Sequence, residues 1–195
     1  MTFEETLNNY CNFVRPYPLI HDNKKLMDWL CDNGFFTSPA STKYHGVFPG
    51  GLYAHSKAMT LRLLELSDDN RLKWKRQESP IIVGMFHDLC KCDQYIERER
   101  PAQLQLPDGT MSIAPVLEKY YDYNTNTLLK GHGAKSVMIL STLMQMTEEE
   151  MLCIRYHMGP YEKEEWSEYD MAIRRYTNVL WTHHADMLAS KIDNT

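Results

Sequence analysis

The sequence predicts an all-α fold. Hydrophobic residues recur every three or four positions through most of the 195 residues, two-residue alternation is scarce, and helix-capping signals stand where the periodic runs begin. Phe3 to Val14 is the first predicted helix, capped by Thr2 and ended by Arg15-Pro16-Tyr17-Pro18, where two prolines oppose continuation. A second runs from about Asn23 to Asp32, buries Leu26, Met27, Trp29 and Leu30 in part, and stops at Gly34. Residues 37–51, rich in glycine, proline and small polar residues, form a loop that feeds a helix beginning near Leu52. There His55, Met59, Arg62, Leu63 and Leu66 fall at helical spacing, which turns His55 inward. Ser79 as N-cap and Pro80 in the first turn open a short helix over the apolar run Ile81 to Phe86, ended by His87-Asp88.

From Asp93 to Gly131 the periodicity weakens, and residues 106–110 read as a turn at the tip of a small hairpin near 103–115. Helical spacing resumes after Gly133 with Ala134, Val137, Met138, Leu140 and Met144. Thr147-Glu148-Glu149-Glu150 has the form of a capping box and opens a helix that carries His157 and closes at Gly159-Pro160. One long final helix is expected from about Glu168 to Ser190, with Ala172, Tyr176, Val179, His183, Asp186 and Ser190 along one side. No internal repeat or linker interrupts the chain, so residues 1–195 are expected to form one domain.

Charge and composition exclude several functions. A formal charge of −5 repels a phosphate backbone, so no strong nucleic-acid binding is expected. No stretch approaches the ~20 apolar residues of a membrane span, and Met1 to Thr6 lacks the layout of a secretory signal, so the cytoplasm is the expected location. Cys11, Cys31, Cys90, Cys92 and Cys153 are odd in number and irregularly spaced, which reads as free thiols.

Polar residues within apolar helical surfaces point to chemistry. His55, His87-Asp88, His157 and Asp186 each interrupt or end an apolar run, and an unpaired polar group buried there costs a few kcal/mol unless something binds it. A metal ion would satisfy them together. Imidazole with carboxylate suits Fe, Mn, Zn, Co or Ni better than Ca. Gly84, one turn before His87-Asp88, leaves room for another helix to approach.

The order His55, His87-Asp88, Asp186 resembles the HD superfamily of metal-dependent phosphohydrolases over roughly residues 46–190, with residues 1–45 as an N-terminal helical extension. Gly50-Gly51-Leu52-Tyr53-Ala54-His55-Ser56 is similar to the family's first-histidine segment, Phe86-His87-Asp88-Leu89-Cys90-Lys91 to its H-D-x-x-K signature, and Ala185-Asp186 to its closing A-D. Gly131-His132-Gly133 and Tyr156-His157-Met158-Gly159 fall where the two-metal branch has further histidines, an arrangement similar to the HD domain of some bacterial 3′ to 5′ exoribonucleases. The resemblance implies a helical HD bundle in which His55, His87 and Asp186 hold one divalent ion, His132 and His157 a second, and Asp88 bridges them. It also implies hydrolysis of a phosphate ester, a nucleotide or related small molecule, by metal-activated water, with Asp88 and Lys91 catalytic and Lys91 touching a phosphate oxygen. His157 is followed by Met158 where many relatives have a second histidine, and Cys90 takes the place of the usual small residue.

Other residues carry weaker signals. Tyr95, Tyr120, Tyr121 and Tyr123 could stack on a nucleobase or pack in the core, and Tyr95 is taken as a substrate contact. Glu97-Arg98-Glu99-Arg100 reads as a self-neutralising solvated face, and Arg71, Lys73, Lys75 and Arg76 as ordinary surface charge. His183 supports the core or the Asp186 carboxylate, His184 lies on another side, and His21 and His45 sit in loops. The alternatives to hydrolysis are an HD-type di-iron oxygenase and a non-catalytic nucleotide-binding module.

Overall fold

In the computed structural model, residues 2–44, 46–105, 109–160 and 163–193 are described. His45 and most of the turn expected at 106–110 lie outside them. The chain forms helices α1 (Phe3–Val14), α2 (Pro18–His21), α3 (Lys24–Asp32), α4 (Gly51–Asp69) and α5 (Ser79–Phe86), then strands β1 (Tyr95–Gln105) and β2 (Met111–Tyr123). Helices α6 (Gly133–Leu143), α7 (Glu148–Arg155), α8 (Trp166–Arg175) and α9 (Asn178–Lys191) follow.

The expected all-α HD bundle is therefore corrected to a mixed fold: helices carry the core, and β1 and β2 form a two-stranded antiparallel ribbon. The register pairs Tyr95 with Tyr123 at the base and Gln105 with Met111 toward the tip, with an irregularity between Pro101 and Gln103. The ribbon reaches well beyond the hairpin expected at 103–115. Cross-strand pairs rather than core burial hold it: Lys119 with Glu97, Arg100 with Glu118, and Arg98 with Asp122. Met111, Ile113, Val116 and Leu117 stay exposed. Alternating charges read as a solvated face because they are paired across strands, a period of two that a helical count overlooks.

The final helix is also corrected. Tyr176 adopts an extended conformation, so α8 ends at Arg175 and α9 starts afresh at Asn178. Asn178 is buried and donates to the Lys73 carbonyl and to Glu149, which fixes this break against α7 and the segment before α5. At α5 the N-cap is Glu78 rather than Ser79, and the Ser79 hydroxyl instead donates to Glu150. Helix α7 ends at Arg155, placing His157 two residues past its end rather than on it.

Thr2 caps α1 and Thr147 caps α7 through complete capping boxes. Asn23 accepts from the Leu26 amide to cap α3. Helix α4 packs on α5 and α9, α9 on α7, and α7 on α6. Tyr10, Val14, Leu26, Leu30, Phe35 and Phe36 from the first 45 residues join Tyr53 of α4 and Phe86 of α5 in the same core. Their rings meet mostly edge to face, with Tyr10 and Phe36 centred 5.3 Å apart.

Glu150 ties this core together. Its fully buried carboxylate accepts from Arg76 Nε and Nη2 at 2.8 and 2.7 Å, from Ser79 Oγ at 2.7 Å and from the Thr147 amide at 2.9 Å. Glu150→Ala removes a cap and the partner of the buried Ser79 hydroxyl, and leaves the partly exposed Arg76 with only the Gln145 carbonyl, so unfolding stability is expected to fall by ~2–3 kcal/mol in urea denaturation. A loss below ~1 kcal/mol would contradict this role.

Candidate metal centre

Five separate stretches bring the predicted ligands together. His55 lies in the second turn of α4, His87 caps the C-terminus of α5, Asp88 follows it, His132 caps the N-terminus of α6, His157 follows α7, and Asp186 projects from α9. All but His132 are buried. The α4–α5 contact that aligns His55 with His87 passes over Gly84, where an added Cβ would lie 2.7 Å from the Thr60 Cα.

Asp88 stands at the middle. Its Oδ2 is 3.6 Å from His55 Nε2, 3.3 Å from His87 Nε2 and 2.6 Å from Lys91 Nζ. Its Oδ1 is 2.9 Å from His132 Nε2 and 3.4 Å from His157 Nε2. Asp186 Oδ1 sits 3.1 Å from His55 Nε2 and 3.7 Å from His87 Nε2, and the last two nitrogens are 3.2 Å apart. Donor atoms of His55, His87 and Asp88 fall within 4.8 Å of one another, as do those of Asp88, Cys90 and His132. This buried cluster could hold a metal ion.

The tautomers make the fit more specific. His87 Nδ1 lies 2.8 Å from the Gly84 carbonyl and His157 Nδ1 2.7 Å from the Ile154 carbonyl. A carbonyl only accepts, so each Nδ1 carries the proton and each Nε2 turns a bare lone pair inward. Those lone pairs face carboxylate oxygens that also only accept. Such a meeting is repulsive until a cation lies between, and His157 Nε2 is shielded from solvent without a hydrogen-bond partner.

The electrostatics agree with ligands ready to bind. Burial pushes the His87 pKa down despite Asp88 beside it, which keeps the ring neutral. Burial works against the Asp88 carboxylate, but Lys91 and the surrounding imidazoles hold its pKa well below the usual range. Asp186 is likewise held down against burial, first by the hydrogen bond from His55. Both carboxylates are ionised at neutral pH. Burial, then Asp88, pushes Cys90 up to about 12, so without an ion it is a thiol.

Lys91 is not a solvated surface lysine. It is 7% exposed in the short 3₁₀ turn after Asp88 (Leu89–Cys92), its ammonium on the Asp88 carboxylate. That pair more than offsets the burial that works against its charge and raises its pKa. Lys91 and Tyr95, both expected at the substrate, line a cavity of about 450 Å³ reaching His132 and Asp186. Tyr123, paired with Tyr95 across the ribbon base, lines it too, whereas Tyr120 lies along the ribbon under Arg100.

Sequence reasoning missed part of this wall. Ser41, Thr42 and Tyr44 come from the stretch read only as a connecting loop, and Gln94 and Lys191 join them. Glycine and proline content marked the loop but not which way it folds back. His183 accepts or donates at Tyr169 Oη, 3.0 Å away, and lines the cavity rather than touching Asp186. Arg76 of the basic cluster is committed to Glu150. The five cysteines are free, and no described helix is long and apolar enough to cross a membrane. Compared with protein families, curated proteins and solved structures, the chain matches none.

Proposed function

We propose that the chain is a metal-dependent phosphohydrolase of the two-metal HD type, acting on a small phosphate ester or nucleotide in the cavity beside Lys91. The observation that carries this is the Asp88 carboxylate, each oxygen of which faces imidazole nitrogens from different elements, with one oxygen also held by a buried lysine. His55, His87 and Asp186 would hold one divalent transition-metal ion, His132 and His157 a second, and Asp88 would be shared. When bound, such ions lower the pKa of water and neutralise charge that develops on a phosphoryl group.

The chain's own residues supply the rest. The Gly84 and Ile154 carbonyls fix the tautomers of His87 and His157, so neither of these two rings must rotate or lose a proton to become a ligand. Lys91 helps keep Asp88 ionised and places a positive charge in the cavity lining, where a phosphate oxygen can meet it. Tyr95 and Tyr123 offer ring faces and phenol hydroxyls to the organic part of the ester. Burial raises the Tyr95 pKa to about 12, which keeps its hydroxyl a donor at neutral pH.

Protein loaded with Mn, Fe, Co or Ni is expected to hydrolyse at least one member of a panel of phosphomonoesters, phosphodiesters and nucleotides. Lys91→Met is expected to lower kcat by ~10²–10³-fold while both ions stay bound. A fully metallated protein without turnover on any of these esters would contradict the proposal. So would oxygen consumption by the iron form in place of hydrolysis.

A further inference from the structure

His87 and His157 obtain their orienting contact in the same way: each follows or ends a helix and reaches back to the carbonyl three residues earlier, a group left free at a helix C-terminus. His132 cannot do this. It stands at the N-cap of α6, where the preceding residues form no helical turn and Gly131 has a positive φ of 85°. Its contact must come from another element. The atom found there is Cys90 Sγ, 3.3 Å from His132 Nδ1.

Cys90 is itself held in place. Its backbone amide donates to Ser136 Oγ at 3.0 Å, one turn into α6, and its side chain is buried between Asp88 and that turn. The stretch that carries Asp88 is thereby stitched to the helix that carries His132. The thiol sulfur can accept one hydrogen bond and cannot reach the ring's other nitrogen, which lies 2.9 Å from Asp88 Oδ1.

We infer that Cys90 is the positioning residue of His132: its sulfur accepts the Nδ1 proton, so Nε2 is left bare toward Asp88, as the carbonyls do for His87 and His157. The inference rests on the two-ion reading above. Cys90 acts through His132 and binds no ion itself. Loss of an orienting partner of this kind costs a metal site ~10–100-fold in affinity.

The test is a titration of the metal-free protein with Co and Mn in wild type, Cys90→Ser and Cys90→Val, with His132→Ala marking which ion belongs to the second site. Valine fills the space without accepting a hydrogen bond, and serine accepts with little change in shape. The second ion is expected to bind ~10–100-fold more weakly in Cys90→Val, with most of that loss restored in Cys90→Ser and the first ion unchanged. In the zinc-loaded protein, ¹⁵N spectra of His132 should show the proton on Nδ1 and the ion on Nε2 in wild type and Cys90→Ser, and incomplete occupancy of Nε2 in Cys90→Val. Equal second-ion binding in wild type and Cys90→Val overturns the inference and leaves the two-ion reading standing. Equal weakening by serine and valine overturns it too, because packing alone would then explain the contact. An intense thiolate-to-cobalt absorption band in wild type makes Cys90 a ligand and overturns it as well. A wild type that takes up no ion overturns the two-ion reading and the inference with it.

Discussion

Asp88→Ala is expected to abolish ion binding and to reduce turnover by at least ~10³-fold, the upper end of what loss of one electrostatic stabiliser costs. Both candidate ligand groups share this carboxylate, so its removal leaves the His132 and His157 side with no carboxylate and the His55 and His87 side with Asp186 alone to draw in a divalent cation. Lys91 would also lose its buried partner, and an uncompensated charge of that kind costs ~3–5 kcal/mol. The variant is therefore expected to melt well below wild type. Asp88→Asn separates the effects, since the amide keeps shape and a hydrogen bond to Lys91 Nζ but carries no charge. It should recover part of the stability and none of the ion binding. Wild-type affinity for two ions in Asp88→Asn, measured by calorimetry, would contradict the shared role.

The second large effect is expected at Gly84. A Cβ there would stand 2.6, 2.7 and 2.9 Å from Thr60 Oγ1, Cα and Cβ, and two of these atoms cannot swing away. Helices α4 and α5 must separate, at a cost of ~3 kcal/mol or more for Gly84→Val, where overpacking is compounded by branching at Cβ. The separation also moves His55 away from His87. Denaturation and ion titration should fail together in this variant, and Gly84→Ala should show a smaller loss of both. Wild-type stability in Gly84→Ala would show that the close approach is not required.

Much of the helical framework was legible because helices reveal themselves locally. Thr2 and Thr147 supply capping boxes within four residues, and Pro16 and Pro18 stop α1 where the ring forbids continuation. The ribbon was harder, because its stability lies in pairs such as Arg100 with Glu118, eighteen residues apart, and its side chains are largely exposed. Without a buried face, hydrophobic alternation does not appear. The break at Tyr176 was hidden for a related reason: Asn178 ends one helix and starts another through partners at Lys73 and Glu149, which no local pattern contains.

The site shows the same division. Five of the six expected ligands interrupt or end an apolar run, a local signal, whereas His132 between two glycines was reached only through the family resemblance, and the fold gathers all six around Asp88. Lys91 was legible by its spacing from Asp88, but its burial and its pairing with that carboxylate were not. The contact of Cys90 with His132 joins residues 42 positions apart and follows from the position of His132 at a helix start, which only the folded chain reveals.

The most direct measurement is anomalous diffraction from crystals of the protein supplied with manganese, collected across the metal edge. The expected result is two peaks flanking Asp88, one beside His55, His87 and Asp186 and the other beside His132 and His157. Absence of any peak there, with the His87 and His157 Nε2 atoms bonded instead to water or to rotated partners, would contradict a metal centre in this fold.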